Sequence, residues 1–339
     1  MSQKAKRVIA RLCRAMHRIP VPAVMAAFVI VGGMLAQTSP GTNLEVLQLR
    51  PNFYMIAGAG GNVGFQVGED GVVVVDSGSV SSADAVIAAI RGVTKQPIRY
   101  VINTSSDPDH VGGNAVVAKA GQTLFTQGGG AGIGADFLGG GASILSVEQV
   151  LTRMSGGKPS PFPVEAWPTE TFNQGRKYMY LNDEGIEVFH EPAAHTDGDA
   201  IVFFRRSDVV VAGDIFDTTR FPVIDTARGG TIHGEIAALQ KLVETAIPSV
   251  PIVSREAGTL VIPGHGRICD QLDVVDYRDM VTIIRDRIRD LMKQGLTLQQ
   301  VKAAAPARGY TRRYGSETGS WRTNDFVEAV YRSMNQKVQ

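Results

Sequence analysis

Hydrophobic residues in the first third of the chain come in short runs separated by glycine and asparagine. The runs NFYMIAG, NVGFQVG and GVVVVDSG, within residues 44–76, predict three strands joined by tight turns. The next stretch, SADAVIAAIR, predicts a helix over residues 82–91 with Ser81 or Ser82 as its N-cap. A buried strand is predicted in IRYVINTSS, so this part of the chain has the strand–helix–strand order of a layered α/β sheet.

The second half of the chain repeats this order of strands followed by helices. Strands are predicted at 177–182, 185–190, 200–204 and 208–213, and one more in GTLVIPGHG. Helices are predicted at 145–154, 233–245, 273–294 and 323–334. Two such halves indicate two β-sheets packed together with helices outside, and the lack of a fixed-period repeat in the sequence excludes a solenoid.

Two stretches depart from this pattern. Residues 128–143 (GGGAGIGADFLGGGAS) are rich in glycine, cannot hold a packed core of their own, and are predicted to form a mobile loop. This loop is either a lid over a substrate or an insertion without a functional role. Four prolines between positions 155 and 168 predict an extended connection.

The N-terminal residues have the composition of a targeting segment. Six lysines and arginines precede an apolar run at 21–36, which is short for a membrane span of about 20 residues. We expect residues 1–36 to be a secretory signal that is cut near Ala36, with an uncleaved membrane anchor as the alternative. The protein is then exported to the periplasm or the cell exterior, and it contacts a membrane only if this segment is retained.

Charge and cysteine content limit the function classes. The 339 residues include 34 lysines and arginines and 33 acidic residues, and no acidic residue precedes Glu45. Without the six basic residues of the leader, 28 basic residues face 33 acidic ones, a net charge of −5 that argues against nucleic-acid binding. Cys13 lies in the leader, so Cys269 has no internal disulfide partner; we considered it as a metal ligand but expect a small buried residue.

Three histidines share one sequence context. His110 (DPDHVGGN), His195 (PAAHTDGD) and His265 (VIPGHG) each lie in a loop rich in glycine, aspartate or proline just after a predicted strand, and Asp214 (VVVAGDIFD) is also at a strand end. Such strand ends are where α/β folds place their functional sites. Histidines and carboxylates gathered from several loops are typical of a metal site with an open catalytic position.

The motifs Asp-x-Gly, NTSSDPDHVGGN, HTDGD, GD and PGHG, taken in this order, resemble the metallo-β-lactamase superfamily. Several motifs in the right order and spacing make the match specific. The resemblance implies an α/β fold, an αββα sandwich of two mixed β-sheets flanked by helices, over residues 44–270. A C-terminal helical extension at 271–339 is expected after it.

The first motif departs from the family pattern His-x-His-x-Asp-His. Ser105 and Asp107 stand at the positions of its first two histidines. A neutral serine hydroxyl is a poor ligand beside imidazole or carboxylate, whereas Asp107 is able to act as a substitute ligand of the first metal. The sequence therefore predicts one well-formed metal site rather than two.

The resemblance divides the other ligands unequally between two metals. The second metal would keep Asp109, His110 and His265, with Asp214 as the bridging carboxylate. The first metal would keep His195 and Asp214 from the family set. Three or four nitrogen and oxygen ligands plus a water are enough for a catalytic zinc, so one or two zinc ions are the expected cofactor, and the oxygen-rich first site would favour manganese or iron.

Four other polar residues near these motifs receive weaker assignments. Asp76, in VVVVDSG, resembles the family's strand-end aspartate and is expected to hydrogen-bond the metal loop, as Asp199 is beside His195. His190 lies in a strand-like segment and is expected to be a core or surface residue. His233, near a helix start, is a candidate pocket residue or has no role in the site.

The resemblance implies a metal-dependent hydrolase that uses a metal-bound water or hydroxide on an ester, thioester, lactone or amide-type small molecule. Asp109, or alternatively Asp107, would act as the base. Aspartate at position 214 is closer to hydroxyacylglutathione hydrolases and their exported relatives than to the true β-lactamases.

Two other function classes are weighed against the hydrolase. A catalytically degenerate member that binds a ligand or partner is motivated by the loss of two histidines. A di-iron redox enzyme is less favoured, because the chain has no flavin domain. Substrate and oligomeric state stay open at this point.

Overall fold

Two β-sheets pack face to face at the centre of the fold, and helices cover their outer faces. The computed structural model describes residues 44–124, 140–173, 175–249 and 258–334. This is the αββα sandwich of two mixed sheets that the sequence predicts. The proposed signal at 1–36 and most of the glycine-rich stretch 128–143 lie outside the described residues.

Seven strands form the first sheet, in sequence order: β1 (Glu45–Arg50), β2 (Phe53–Ala59), β3 (Gly61–Gly68), β4 (Gly71–Val75), β5 (Ile98–Ile102), β6 (Ser143–Val147) and β7 (Glu170–Phe172). Strands β1 to β4 are antiparallel neighbours, and β4 to β7 run parallel. The carboxyl ends of β4 and β5 therefore lie at the same edge, where parallel sheets place their sites.

Five strands form the second sheet: β8 (Arg176–Leu181), β9 (Glu184–Glu191), β10 (Asp199–Phe204), β11 (Val209–Asp217) and β12 (Leu260–His265). Their spatial order is β12-β11-β10-β9-β8. Neighbours from β8 to β11 are antiparallel, whereas β11 and β12 are parallel. The second sheet thus also brings the carboxyl ends of two parallel strands to one edge.

Nine α-helices lie in the described residues: α1 (Ala83–Val93), α2 (Pro108–Val111), α3 (Asn114–Lys119), α4 (Glu148–Ser155), α5 (Ile232–Thr245), α6 (Gln271–Lys293), α7 (Leu298–Ala303), α8 (Thr311–Tyr314) and α9 (Thr323–Met334). The long helix α6 begins with a capping box between Asp270 and Asp273. Within the described segments, no helix combines the length and apolar character that a membrane crossing requires.

Three apolar layers stabilise this arrangement. Between the sheets, the rings of Phe53 and Phe204 meet edge to face with centroids 4.7 Å apart. Helix α1 covers the first sheet through Ile90, and the C-terminal helices cover the second sheet through Ile284 and Phe326. Each of these side chains is fully buried and contributes about 1.5–3 kcal/mol by leaving water.

The structure contains the short helices α2, α3, α7 and α8, which were not predicted, and it differs from the predicted elements in three further places. Strands β1 and β7 were not predicted, and both are short strands at the edges of the first sheet. Residues 145–147, predicted as helix, end strand β6, because this apolar segment pairs with β5 and β7 on both sides. The strand predicted at 208–213 continues to Asp217, so Asp214 lies within β11 rather than at its end.

Gly213 explains the last difference. Its backbone has φ of 54°, and the pairing of β11 with β12 shifts register on both sides of it. A glycine in this left-handed conformation is typical of a bulge, which interrupts the ladder and re-aims the next side chain. In the sequence the Gly-Asp pair therefore resembles the end of a strand.

Candidate metal centre

The six predicted metal ligands meet at one edge of the sandwich. The loop after β5, with the short helix α2, contributes three of them, the β9–β10 turn contributes one, and strands β11 and β12 contribute one each. In chain order they are Asp107, Asp109, His110, His195, Asp214 and His265. Their donor atoms form two groups, each with all atoms within 4.8 Å of one another.

One group consists of Asp109, His110 and His265. It is named the second-metal cluster, because the family resemblance assigns these residues to the second metal. His265 Nε2 lies 3.1 Å from Asp109 Oδ2 and 3.4 Å from Asp214 Oδ1. His110 Nε2 lies 3.2 Å from the same Asp214 oxygen. Asp214 lies close to both imidazoles and is counted as a fourth donor of this cluster, which then has two imidazoles and two carboxylates.

Helix α2 sets the direction of the donors from the first sheet. His110 was predicted in a loop, but it lies in this single helical turn, which has Pro108 at its first position and Asp107 as its N-cap. Proline suits the first position of a helix because its missing N–H would have no partner there. The turn places Asp109 and His110 side by side on the second-metal cluster while the cap residue Asp107 points elsewhere.

The other group, here named the first-metal cluster, consists of Asp107, His195 and Asp214. His195 Nε2 lies 2.8 Å from Asp107 Oδ2. Burial by itself would raise the pKa of Asp107, but the hydrogen bonds and charges of His195 and Arg228 hold that pKa well below its usual range. For His195, burial would lower the pKa, and the hydrogen bond to Asp107 with nearby carboxylates raises it to about 9.

Asp76 supports the second-metal cluster from behind. Its Oδ2 accepts a hydrogen bond from His110 Nδ1 at 2.7 Å, and both carboxylate oxygens accept from Thr104. This bond fixes the proton on Nδ1 and leaves Nε2 free to face the cluster. Asp76 therefore makes the contact that the sequence predicts for it, from a backbone with φ of 62°.

A family model described as the metallo-beta-lactamase superfamily matches residues 57–265, which is more than half of the chain. The chain belongs to this superfamily. The match spans both sheets and ends at the last residue of the second-metal cluster.

Relatives within the superfamily include sulfatases and lactamases. The linear primary-alkylsulfatase of Pseudomonas sp. (strain ATCC 19151) is 23% identical over 278 residues, which cover 71% of this chain and 50% of that protein. The solved inverting sec-alkylsulfatase Pisa1 from Pseudomonas sp. is 15% identical with a TM-score of 0.60, over 85% of this chain and 49% of that one. The chain thus spans about half the length of the alkylsulfatases it matches.

A third relative has a length similar to the sandwich itself. The metallo-beta-lactamase from Pontibacter korlensis is 16% identical with a TM-score of 0.52, and the comparison covers 70% of this chain and 99% of that one. At this level of identity the solved structures show a shared fold, and fold does not fix substrate.

Metal binding fits the second-metal cluster of this superfamily member. His265 Nε2 is buried and has no hydrogen-bond partner among the described residues, although two carboxylates surround it. A buried polar atom without a partner is costly, and a cation coordinated by the imidazole and carboxylates would satisfy it. The donor set of two nitrogens and two oxygens suits zinc and other first-row divalent metals.

The first-metal cluster contains an additional residue that sequence reasoning missed. Arg228 Nη1 donates to Asp107 Oδ1 at 2.5 Å, and Arg228 Nη2 lies 3.4 Å from His195 Nε2. Arg228 is 121 positions away from Asp107 in a loop with no recognisable motif. One indirect sequence signal could have pointed to it: Asp107 in place of a histidine adds a negative charge that needs a partner.

The remaining candidates lie outside both clusters of the described chain. Asp199 accepts hydrogen bonds from the backbone N–H and hydroxyl of Thr196, so it fixes the turn that carries His195. A ring nitrogen of His190 bonds to the Asp197 carbonyl oxygen at 2.8 Å. His233 is exposed, and Cys269 is buried, with burial raising the pKa of its thiol to about 12.

Glu235 is a buried acid that the sequence did not indicate. It lies in the first turn of α5 and is fully buried, and neither carboxylate oxygen has a hydrogen-bond partner among the described residues. Burial, followed by the charges of Asp199 and Asp214, raises its pKa well above the usual range. The buried environment therefore favours the protonated form of this side chain.

We predict that Glu235→Met stabilises the protein by about 1–3 kcal/mol, because it removes an unsatisfied buried polar group. A folded-state pKa above the unfolded value of 4.5 means that the folded form binds more protons, so the wild type loses stability as pH rises above that value. Thermal unfolding at pH 5 and pH 9 should show the larger gain at pH 9. Glu244→Met, at an exposed position of the same helix, should give no such pH-dependent gain.

Proposed function

We propose that this chain is a metal-dependent hydrolase that cleaves an ester with an anionic group, with sulfate esters as the leading class. The second-metal cluster carries the proposal, because two imidazoles and two carboxylates converge there around the unpartnered Nε2 of His265. Asp109, His110, Asp214 and His265 would hold a divalent metal there, and that metal would supply a nucleophilic water at neutral pH. Zinc is the proposed metal, with manganese and iron as alternatives.

Asp109 is the proposed proton acceptor of this site. Its side chain is 36% exposed, against 13% for Asp107 and 8% for Asp214, so it is the carboxylate that solvent and substrate reach. His265, whose Nε2 lies 3.1 Å from Asp109 Oδ2, lowers the pKa of Asp109, which keeps the carboxylate ionised at neutral pH and able to accept a proton. Asp109 would also help to hold the metal, together with Asp214 and the two histidines.

Two arginines favour an anionic substrate. Arg228 and Arg220 have side chains 31% and 33% exposed, so their guanidinium groups are reached by solvent. Arg220 is bound to Asp217 and interacts electrostatically with Asp214 and Asp109. Guanidinium groups recognise sulfate, phosphate and carboxylate oxygens. The similarity to a linear primary-alkylsulfatase supports sulfate among these anions.

The proposed partner is thus a small-molecule substrate, and the proposed location is outside the cytoplasm, as the N-terminal sequence suggests. Purified protein should be assayed for metal content and for hydrolysis of alkyl sulfates, carboxylate esters, thioesters and β-lactams. We expect about one tightly bound metal per chain, and turnover of alkyl sulfates that a chelator abolishes and added zinc or manganese restores.

Absence of both metal binding and hydrolysis would contradict this proposal. A protein that binds no metal even after soaking, and that hydrolyses none of the four substrate classes, is not a metallo-hydrolase. Such an outcome would favour a non-catalytic member of the superfamily that binds a ligand or partner on this scaffold. Hydrolysis of a neutral ester in preference to alkyl sulfates would retain the metal chemistry and reject the anionic substrate.

A further inference from the structure

The guanidinium of Arg228 lies beside Asp107 and His195 of the first-metal cluster. It donates to one oxygen of Asp107, and His195 Nε2 lies 2.8 Å from the other oxygen. Both oxygens of this carboxylate are therefore engaged. By contrast, Asp109 and Asp214 pair with no lysine or arginine in the part of the chain that the structure describes.

The loop that carries Arg228 is fixed against the turn that carries His195. Arg228 Nε donates to Asp225 Oδ2 at 2.6 Å, and Asp225 also accepts from two backbone N–H groups of the same turn. The Asp225 N–H donates to the His195 carbonyl oxygen, and the Asp197 N–H donates to the Arg228 carbonyl oxygen, both at 2.9 Å. The position of the guanidinium is thus set by the fold.

Close packing strengthens this connection. A Cβ atom at Gly230 would lie 2.2 Å from the His195 carbonyl oxygen, so only glycine permits the loop to approach so closely. Arg153 Nη2 additionally donates to the Arg228 carbonyl oxygen at 2.9 Å. These contacts fix the position of Arg228, unlike that of a mobile surface arginine whose side chain only occasionally approaches the site.

The charges of the two clusters agree with a single metal. Three carboxylates face the clusters, and the guanidinium compensates that of Asp107. The two that remain, Asp109 and Asp214, match the charge of one divalent cation. A second divalent cation at the first-metal cluster would have to displace the guanidinium or lie against its like charge, which is unfavourable.

We propose that Arg228 takes the place of the first metal, so that the chain binds one divalent metal, at the second-metal cluster, beside a cation built into the fold. This inference rests on the proposed metal dependence and adds to it the residue that limits the chain to one metal. Arg228 also keeps Asp107 paired, so this aspartate acts as the anchor of the guanidinium and not as a metal ligand.

Metal stoichiometry tests the proposal without reference to turnover. Metal-free protein is incubated with excess Zn²⁺, desalted, and examined by elemental analysis and native mass spectrometry. We expect one zinc per wild-type chain and two per chain in Arg228→Gln, with the affinity for the second zinc rising at least about tenfold. Arg228→Lys, which keeps the positive charge, should still bind one.

Arg220→Gln is the matched control, because it removes another positive charge near the clusters from a residue whose hydrogen bond goes to Asp217. It should bind one zinc. If Arg228→Gln does not fold, Asp225→Asn keeps the oxygen that caps the turn and weakens the pairing with Arg228, and it should gain measurable affinity for a second zinc.

Two zinc ions in the wild type, one in both Arg228→Gln and Asp225→Asn, or two in Arg220→Gln would each overturn the role of Arg228. These outcomes leave the proposed hydrolase function intact. A protein with no zinc in any variant would instead reject the proposed function itself, together with this inference.

Discussion

His265→Ala is expected to lower metal affinity by more than about 100-fold, beyond the 10–100-fold range typical of residues that only support a ligand. His265 Nε2 is a buried nitrogen without a hydrogen-bond partner among the described residues, and it lies within 3.4 Å of both Asp109 and Asp214. Removing it leaves one imidazole and two carboxylates that repel each other. Activity should be lost together with the metal, and Asp109→Ala should behave in the same way.

The measurement is metal content after dialysis against a weak chelator, with circular dichroism to show that the fold is retained. His233→Ala provides the control, since His233 is exposed and lies outside both clusters. If the His265→Ala protein kept one equivalent of metal, the second-metal cluster would not be the binding site.

Asp76→Asn should have the second largest effect, a loss of metal affinity of about 10–100-fold. In the wild type, Oδ2 accepts from both His110 Nδ1 and the Thr104 hydroxyl, and Oδ1 accepts from the Thr104 N–H. Asparagine that keeps the Thr104 N–H bond presents its NH₂ group to His110. The imidazole proton then moves to Nε2, which can no longer bind a metal.

Asparagine tolerates the left-handed backbone of position 76, so the change tests the hydrogen bond rather than the turn. Competition with a coloured chelator gives the affinity, and the melting temperature of the metal-free protein shows any loss of stability. Asp70→Asn, at an exposed turn of the same sheet, should match the wild type. An Asp76→Asn protein whose zinc affinity lies within about twofold of the wild type would mean that His110 is not oriented by Asp76.

The local sequence predicted both the layered fold and the grouping of the site residues, because both depend on the positions of strands and of turn residues. Four of the six candidate ligands lie directly beside glycine or proline, and the parallel pairs β4–β5 and β11–β12 bring segments that carry ligands to one edge. The order of the motifs then identified which histidines belong together. Asp76 was recognised in this way, and the structure shows its bond to His110.

The features that the sequence did not predict depend on contacts between segments that are distant in the chain. Arg228 meets Asp107 across 121 positions, and no pattern around Arg228 differs from that of an ordinary surface loop. Glu235 lies in an amphipathic helix where acids are common, and its burial follows only from the packing of α5 on the second sheet. Strand β6 was assigned to a helix because short apolar runs suit both elements until their neighbours are known.

The donors of the second-metal cluster come from both halves of the chain, so metal binding there would be coupled to folding. Asp109 and His110 follow β5, whereas Asp214 and His265 belong to the second sheet, more than 100 positions later. Neither half holds three of these donors, so a partly folded chain offers a cation only a weak pair of ligands. A metal held by this set would therefore require both sheets to be in place, and its binding would stabilise the folded chain over partly folded forms.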